Sequence, residues 1–306
     1  MSLDRLHAHF TIVGPDGTDG DVVARDVLRR MSEAQNPTQH ELLLVRSYLS
    51  GRPVIAVGTT PSSEGGWDAE LLDLYGRRID SIAQLARSVG VIETIIDSSP
   101  AGAATGFLVD DKMLVTNAHV VRELAAGTDD SAPVVRFPSR GSEPAVQATF
   151  DRVRLINGRA DIAFVSLAQW TGRQPAALKF ARGPVDDRTQ IAVVGYPQID
   201  GDLPPLLTKN LFGPQVGKES VSPGRVLRRY ATSSFEHDCT TAGGNSGSPV
   251  VRLFDGAVLG VHRGGALYES NLATASEKAA TLHDTVPDAG RSFTWAGLRV
   301  RGRRLL

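Results

Sequence analysis

From residue 89 onward, apolar and β-branched residues come in short runs separated by Gly, Pro and Asp, the pattern of strands broken by tight turns. The runs "VGVIETII", "ATGFLVD", "KMLVTNA", "APVVRFP", "ATFDRVRLI", "DIAFVSL", "QIAVVGYP", "GRVLRRYATS", "GSPVVRLF" and "GAVLGVHR" are the predicted strands. So many short strands without helices between them predict a mainly β, antiparallel architecture, and the segment is long enough for two barrels rather than one. Before residue 89 the period changes. Val22, Val23, Val27, Leu28 and Met31 recur at helical intervals, and Thr38 and Glu41 stand at capping-box spacing ahead of a second helix. After the loop "GTTPSSEGG", the residues Leu71, Leu74, Tyr75, Ile79, Ile82, Leu85 and Ala86 predict one long amphipathic helix over 67–88. The expected organisation is a helical region at 1–88, a first barrel at about 89–175 and a second at about 176–306.

Composition changes this picture little. With 41% hydrophobic and 22% charged residues the chain is ordinary for a folded globular protein. A net charge of −1 and a pI near 6.7 give no electrostatic case for nucleic acid or a membrane surface as partner. Cys239 is the one cysteine, which excludes an intrachain disulfide, and no CxxC or HExxH spacing offers a metal site. No metal and no cofactor are expected. The N-terminus mixes acids and histidines where a signal peptide needs an apolar core, and no run of about 18 apolar residues occurs, so a cytoplasmic location is expected.

The stretch "TTAGGNSGSPVV" sets Ser246 among glycines just ahead of a strand. Two readings stand: a turn residue, or a nucleophile, which requires a base to remove its proton and donors to hold the oxyanion. His7, His9, His40 and His283 have no distinctive context, whereas His119 ends "KMLVTNAH" in a small-residue turn at a strand edge. Asp161 opens the apolar run "DIAFVSL". Singly, His119 reads as a packing residue and Asp161 as a turn or cap residue.

Together the three segments, in the order His119, Asp161, Ser246, resemble the chymotrypsin-like serine peptidases over residues 89–306. The phrase "GGNSGSPVV" followed by "GAVLGVHRGG" is most similar to the bacterial V8-like glutamyl endopeptidases. An α/β-hydrolase elbow would need Gly where Ser248 stands, and a histidine after the serine. The resemblance implies two antiparallel six-stranded barrels with an N-terminal helical extension, a His119, Asp161, Ser246 triad, and an oxyanion hole from the backbone N–H groups of Gly244 and Ser246. It sets Thr240 where trypsin-type enzymes carry an aspartate, so a basic P1 residue is disfavoured. It assigns Thr241 and His262 to an acidic or polar P1 side chain, and Gly264 and Gly265 to the pocket wall, with Gly265 in the strand that pairs with substrate backbone. The opposing reading makes His262 a strand histidine and Arg263 a surface residue.

Two departures bear on specificity. Asn245 stands where chymotrypsin has the aspartate that receives a freed N-terminal amine, and some 88 residues precede the barrels, unlike the V8-type N-terminus. Residues 1–88 are a candidate regulatory or docking region, or simply a cover for a barrel face. Arg299, Arg301, Arg303 and Arg304 read as a solvated tail, and Cys239 as a packing residue. Two functional classes follow: a serine endopeptidase acting on proteins or peptides, or a catalytically silent or latent peptide-binding scaffold on the same fold.

Overall fold

The computed structural model describes residues 52–61, 69–96, 99–127, 131–139, 141, 143–199, 208–231, 233–266, 270–286 and 292–298. The helices expected around 22–31 and 38–49 lie outside these residues.

Strand β1 (Ile55–Ala56) is followed by helices α1 (Ala69–Gly76) and α2 (Ile79–Ala86). Then come β2 (Val89–Ile96), β3 (Ser99–Asp110), β4 (Met113–Thr116), helix α3 (Ala118–Ala126), β5 (Val134–Phe137), β6 (Val146–Asn157) and β7 (Ile162–Ala168). The second half holds β8 (Gln190–Gly195), β9 (Ser220–Tyr230), β10 (Ser234–His237), β11 (Pro249–Arg252), β12 (Val258–Ala266), β13 (Ser270–Ala275), helix α4 (Ser276–Asp284) and β14 (Phe293–Thr294).

The strands close into two six-stranded antiparallel barrels. The first runs β6-β5-β2-β3-β4-β7 and is shut by pairing of β6 with β7; the second runs β9-β10-β13-β12-β11-β8 and is shut by β8 with β9. Each barrel also carries a two-residue strand from the far end of the chain. Ile55 and Ala56 pair with Val221 and Ser220 of the second barrel, and Phe293 and Thr294 pair with Val153 and Arg152 of the first. Beside β14, Trp295 is buried edge-on against Phe150, 5.5 Å between ring centroids.

Side chains alternate across a strand, and β7 and β8 use both faces. Ala163 and Val165 fill the first barrel with Phe137 and Phe150. Ile191 and Val193 fill the second with Val226, Phe235 and Val250. The opposite faces, Ile162 and Phe164 from β7 and Ala192 and Val194 from β8, join a third core that also takes in Leu71, Tyr75, Ile82 and Leu85. Helices α1 and α2 thus share one apolar core with both barrels.

The single helix expected over 67–88 is two. It breaks at Arg77 and Arg78, where the Arg78 N–H bonds the Tyr75 carbonyl at 2.9 Å in a tightened turn. Gly76, a poor helix former, ends the first segment, and the bend lets Tyr75 and Ile82 both bury, each 1% exposed. His119 likewise sits in the first turn of α3 rather than in an open turn. No helix among the described residues is long and apolar enough to cross a membrane.

Because Ile82 is enclosed in that shared core, Ile82→Ala should cost about 2–5 kcal/mol. The midpoint of urea unfolding checks this; a shift within error of zero would mean α2 merely rests on the surface.

Candidate active site

Strand β4 ends at Thr116, and Asn117 adopts an extended conformation (φ −81°, ψ 152°) at the head of α3. His119 follows in the first helical turn. Asp161 reaches it from the turn between β6 and β7, which Asn157 shapes by accepting the Ala160 N–H on its side-chain oxygen at 2.9 Å. Asp161 itself is in the left-handed region, φ 51°, which aspartate tolerates better than most residues. Four bonds hold it there. Its carboxylate takes the His119 Nδ1 at 2.8 Å and the His119 backbone N–H at 3.0 Å, the Asn117 amide donates to the Asp161 carbonyl at 2.9 Å, and the buried Thr274 hydroxyl donates to the preceding Ala160 carbonyl at 2.5 Å.

The hydrogen bond to Asp161 raises the His119 pKa above its ordinary 6.5, against partial burial and the positive charge of Arg263. For Asp161 burial pushes upward, but the bonds from the His119 ring and backbone prevail and lower its pKa. Both effects favour a carboxylate that fixes Nδ1 as the protonated ring nitrogen and leaves Nε2 open.

The Ser246 turn belongs to the second barrel yet is bonded to the first. The Thr105 N–H of β3 donates to the Ser246 carbonyl at 2.9 Å, and the Thr105 hydroxyl donates to the Gly244 carbonyl at 2.7 Å. That hydroxyl also accepts the Tyr196 N–H at 3.1 Å, while the Thr105 carbonyl accepts the Thr116 hydroxyl at 2.8 Å. Thr116 is three residues before His119, so one buried threonine ties the Ser246 turn to the strand that leads into the helix carrying the histidine. On the other flank, the Gly247 N–H bonds the His262 carbonyl at 2.9 Å and the His262 N–H bonds the Ser248 carbonyl at 2.8 Å.

Gly244 is buried at φ 72°, and a Cβ there would stand 2.4 Å from the Tyr196 carbonyl oxygen and 2.5 Å from the Gln198 side chain. Only glycine fits. The curl leaves the N–H groups of Gly244 and Ser246 without an acceptor among the described residues. The Ser246 hydroxyl, half-buried, also makes no hydrogen bond to the described residues, so its link to His119 is open in this structure.

The remaining expected residues lie in the segment ahead of Gly244 and in β12. The Thr240 hydroxyl accepts the Arg52 N–H at 3.2 Å, and Thr241 donates to the Asn271 side chain at 2.6 Å, which in turn donates to the Cys239 carbonyl at 2.7 Å. His262 is 2% exposed with its Nδ1 3.2 Å from Nε2 of the fully buried His237. Burial pushes the His262 pKa below its usual value, with His237 and His119 adding to the effect, and takes His237 down to about 3. Both rings are neutral at physiological pH. Gly265 pairs with Asn271, and Gly264 follows a bulge with open space beside its Cα. Cys239 is buried, and burial raises its thiol pKa above the physiological range.

Thr105, Asn117, Thr274 and Arg52 were not singled out from sequence. Each acts through a hydrogen bond to a distant residue, which no local pattern announces.

Residues 104–261, just over half the chain, match the trypsin-like peptidase domain family. The chain belongs to that family. His119, Asp161, Ser246 and Thr105 all fall inside the matched span of this trypsin-like peptidase domain. The putative mitochondrial protease Do-like 12 of Arabidopsis thaliana is 32% identical over 164 residues, covering 52% of this chain and 28% of that protein. This trypsin-like chain thus spans under a third of that relative's length. Among solved structures, the active form of the Rv3671c protease from M. tuberculosis is 22% identical with a TM-score of 0.48, covering 68% of this chain and 83% of that one. The serine endoprotease from Yersinia pestis is 15% identical with a TM-score of 0.48, covering 68% and 67%.

Thr105→Val keeps the shape but leaves the buried Gly244 carbonyl and Tyr196 N–H without their hydroxyl partner, at about 1–3 kcal/mol. Thermal unfolding should show that loss, with a drop in Ser246 reactivity toward a fluorophosphonate; unchanged reactivity would mean the turn keeps its shape without Thr105.

Proposed function

We propose that the chain is a serine endopeptidase working through His119, Asp161 and Ser246. The observation that carries this reading is the pair of N–H groups at Gly244 and Ser246 that have no acceptor among the described residues, on a turn bonded through Thr105 to the strand that leads into the hydrogen-bonded His119–Asp161 pair. Backbone donors with no acceptor of their own beside a serine are what a developing oxyanion needs.

In this reading the Ser246 hydroxyl oxygen attacks the scissile carbonyl carbon and its proton passes to His119 Nε2. Asp161, bonded to Nδ1, stabilises the imidazolium. The carbonyl oxygen, now an oxyanion, accepts the Gly244 and Ser246 N–H groups; losing one such donor costs about 2.7–4 kcal/mol in the barrier. Collapse breaks the C–N bond, the leaving amine takes the proton from His119, and water deacylates the enzyme with His119 again as base.

For the P1 residue we propose an acidic or polar side chain bound by Thr241 and His262, as in the V8-like branch. On the resemblance, Thr240 stands where a buried carboxylate would receive a basic side chain. The neutral His262 ring, backed by His237, would offer a hydrogen bond rather than a charge. Residues 1–88 we propose as a regulatory or docking region. A second reading, a latent or silent peptide-binding form, is favoured by one observation only, the open link between the Ser246 hydroxyl and His119.

A fluorophosphonate probe should label the folded protein and fail on Ser246→Ala; no labelling under any condition would support the silent form. Hydrolysis needs neutral His119, so kcat/KM should rise with pH through the His119 pKa, and because that pKa is raised the acid limb should lie above 6.5. Asp161→Asn removes the main cause of the increase, so the limb should move down while kcat falls about 10⁴-fold through the wrong tautomer. An acid limb unmoved by Asp161→Asn would contradict the assigned pair.

A further inference from the structure

The wall that leads to the Ser246 turn is held from outside the matched domain. Arg52 precedes β1, yet its guanidinium makes an ion pair with Asp238 at 2.6 Å and donates to the Asp238 carbonyl at 3.0 Å, while its backbone N–H donates to the Thr240 hydroxyl at 3.2 Å. The Arg52 side chain is 12% exposed and that of Asp238 32%. Asp238 in turn accepts the Arg225 N–H at 2.5 Å, and its own N–H donates to the Arg225 carbonyl at 3.1 Å. The segment is fixed at its other end, since the Val54 N–H bonds the Leu211 carbonyl at 2.6 Å and Ile55 and Ala56 extend the second barrel.

Residues 238–241 contain Thr240 and Thr241 and lie six residues or fewer ahead of Gly244. Besides the Arg52 contacts, the segment is held by the Arg225 backbone, by the side chain of Asn271 and by burial of Cys239 in the second barrel's core. A guanidinium presents several donors in a fixed fork and can hold a carboxylate and a carbonyl of one residue together. Arg52 does this at Asp238, next to the residues of the proposed pocket.

We infer that Arg52 is a positioning residue for the primary specificity pocket, so that the chain ahead of the barrels sets how well the peptidase holds its substrate side chain. This rests on the peptidase reading for the identity of the pocket; the clamp itself does not. It also gives the region before the barrels a route to control activity without touching the proposed triad, because whatever displaces residues 52–56 withdraws the clamp.

The test uses the full chain with Arg52→Gln, Arg52→Lys and Asp238→Asn, the last keeping an oxygen for the Arg225 N–H. Arg52→Gln should raise KM for cleaved peptides about tenfold, the scale for losing a hydrogen bond to a charged group. Its fluorophosphonate labelling rate, which bypasses the pocket, should change less than about twofold by the same scale. Arg52→Lys should retain much of the binding, and the Arg52→Gln and Asp238→Asn effects should be non-additive, as for groups in contact. Hydrogen exchange of the peptide covering 236–242 should accelerate in Arg52→Gln while β2 to β7 keep their protection. Wild-type KM together with wild-type exchange in Arg52→Gln would overturn the inference. A KM increase that Arg52→Lys does not reduce would overturn the role of charge. If the wild type cleaves no peptide, the peptidase reading fails, and the exchange comparison alone decides whether Arg52 holds the segment.

Discussion

Thr105 is the residue on which the site depends. Its amide and hydroxyl bind two carbonyls of the Ser246 turn, and its carbonyl holds Thr116 at the end of the strand that leads to His119. A turn rich in glycine is conformationally permissive, and without cross-barrel bonds nothing in its own sequence would fix its shape. Complete burial of Thr105 places these bonds away from competing water, where leaving a partner unpaired is costly. The Asp161 turn has its counterpart. Thr274 of the second barrel binds the Ala160 carbonyl, so each barrel steadies a loop of the other, and relative movement of the barrels would disturb both together.

Packing enforces the same union. The outer faces of β2, β3, β4 and β7 from the first barrel and of β8, β9, β11 and β12 from the second share one core, and the helices α1 and α2 enter it. The exchange of short terminal strands, β1 on the second barrel and β14 on the first, adds backbone bonds at both ends. The pairing of His119 with Asp161 thus sits on a frame assembled from nearly the whole described chain. Arg52 extends this logic to the proposed specificity pocket by joining residues 186 positions apart.

What was legible in the sequence follows from which signals are local. The pattern of short apolar and β-branched runs between Gly, Pro and Asp announced β2 to β9, β11 and β12. It missed β10, "SFEH", and β13, "SNLATA", whose small and polar residues carry no clear period, and β1 and β14, which are two residues long. The helix after His119 was hidden because "HVV" continues the β-branched grammar of β4, and the break at Gly76 because a single glycine is a weak signal inside a regular apolar repeat. His119, Asp161 and Ser246 stood out by their order and by the phrases around them. Thr105 and Thr274 did not, since a threonine in a strand is ordinary until the bond across the barrel interface is seen.

A crystal structure of the full chain with a peptide boronic acid tests the central claim most directly, because the adduct would report the proposed Ser246 attack and the proposed oxyanion donors together. The account predicts a covalent bond from the Ser246 oxygen to boron, one boronate oxygen within hydrogen-bonding distance of the Gly244 and Ser246 N–H groups, His119 Nε2 closed onto the site, and the Thr105 bonds to Gly244 and Ser246 retained. An adduct whose oxygen points away from both amides, or one that forms only with the Thr105 bonds broken, would contradict it.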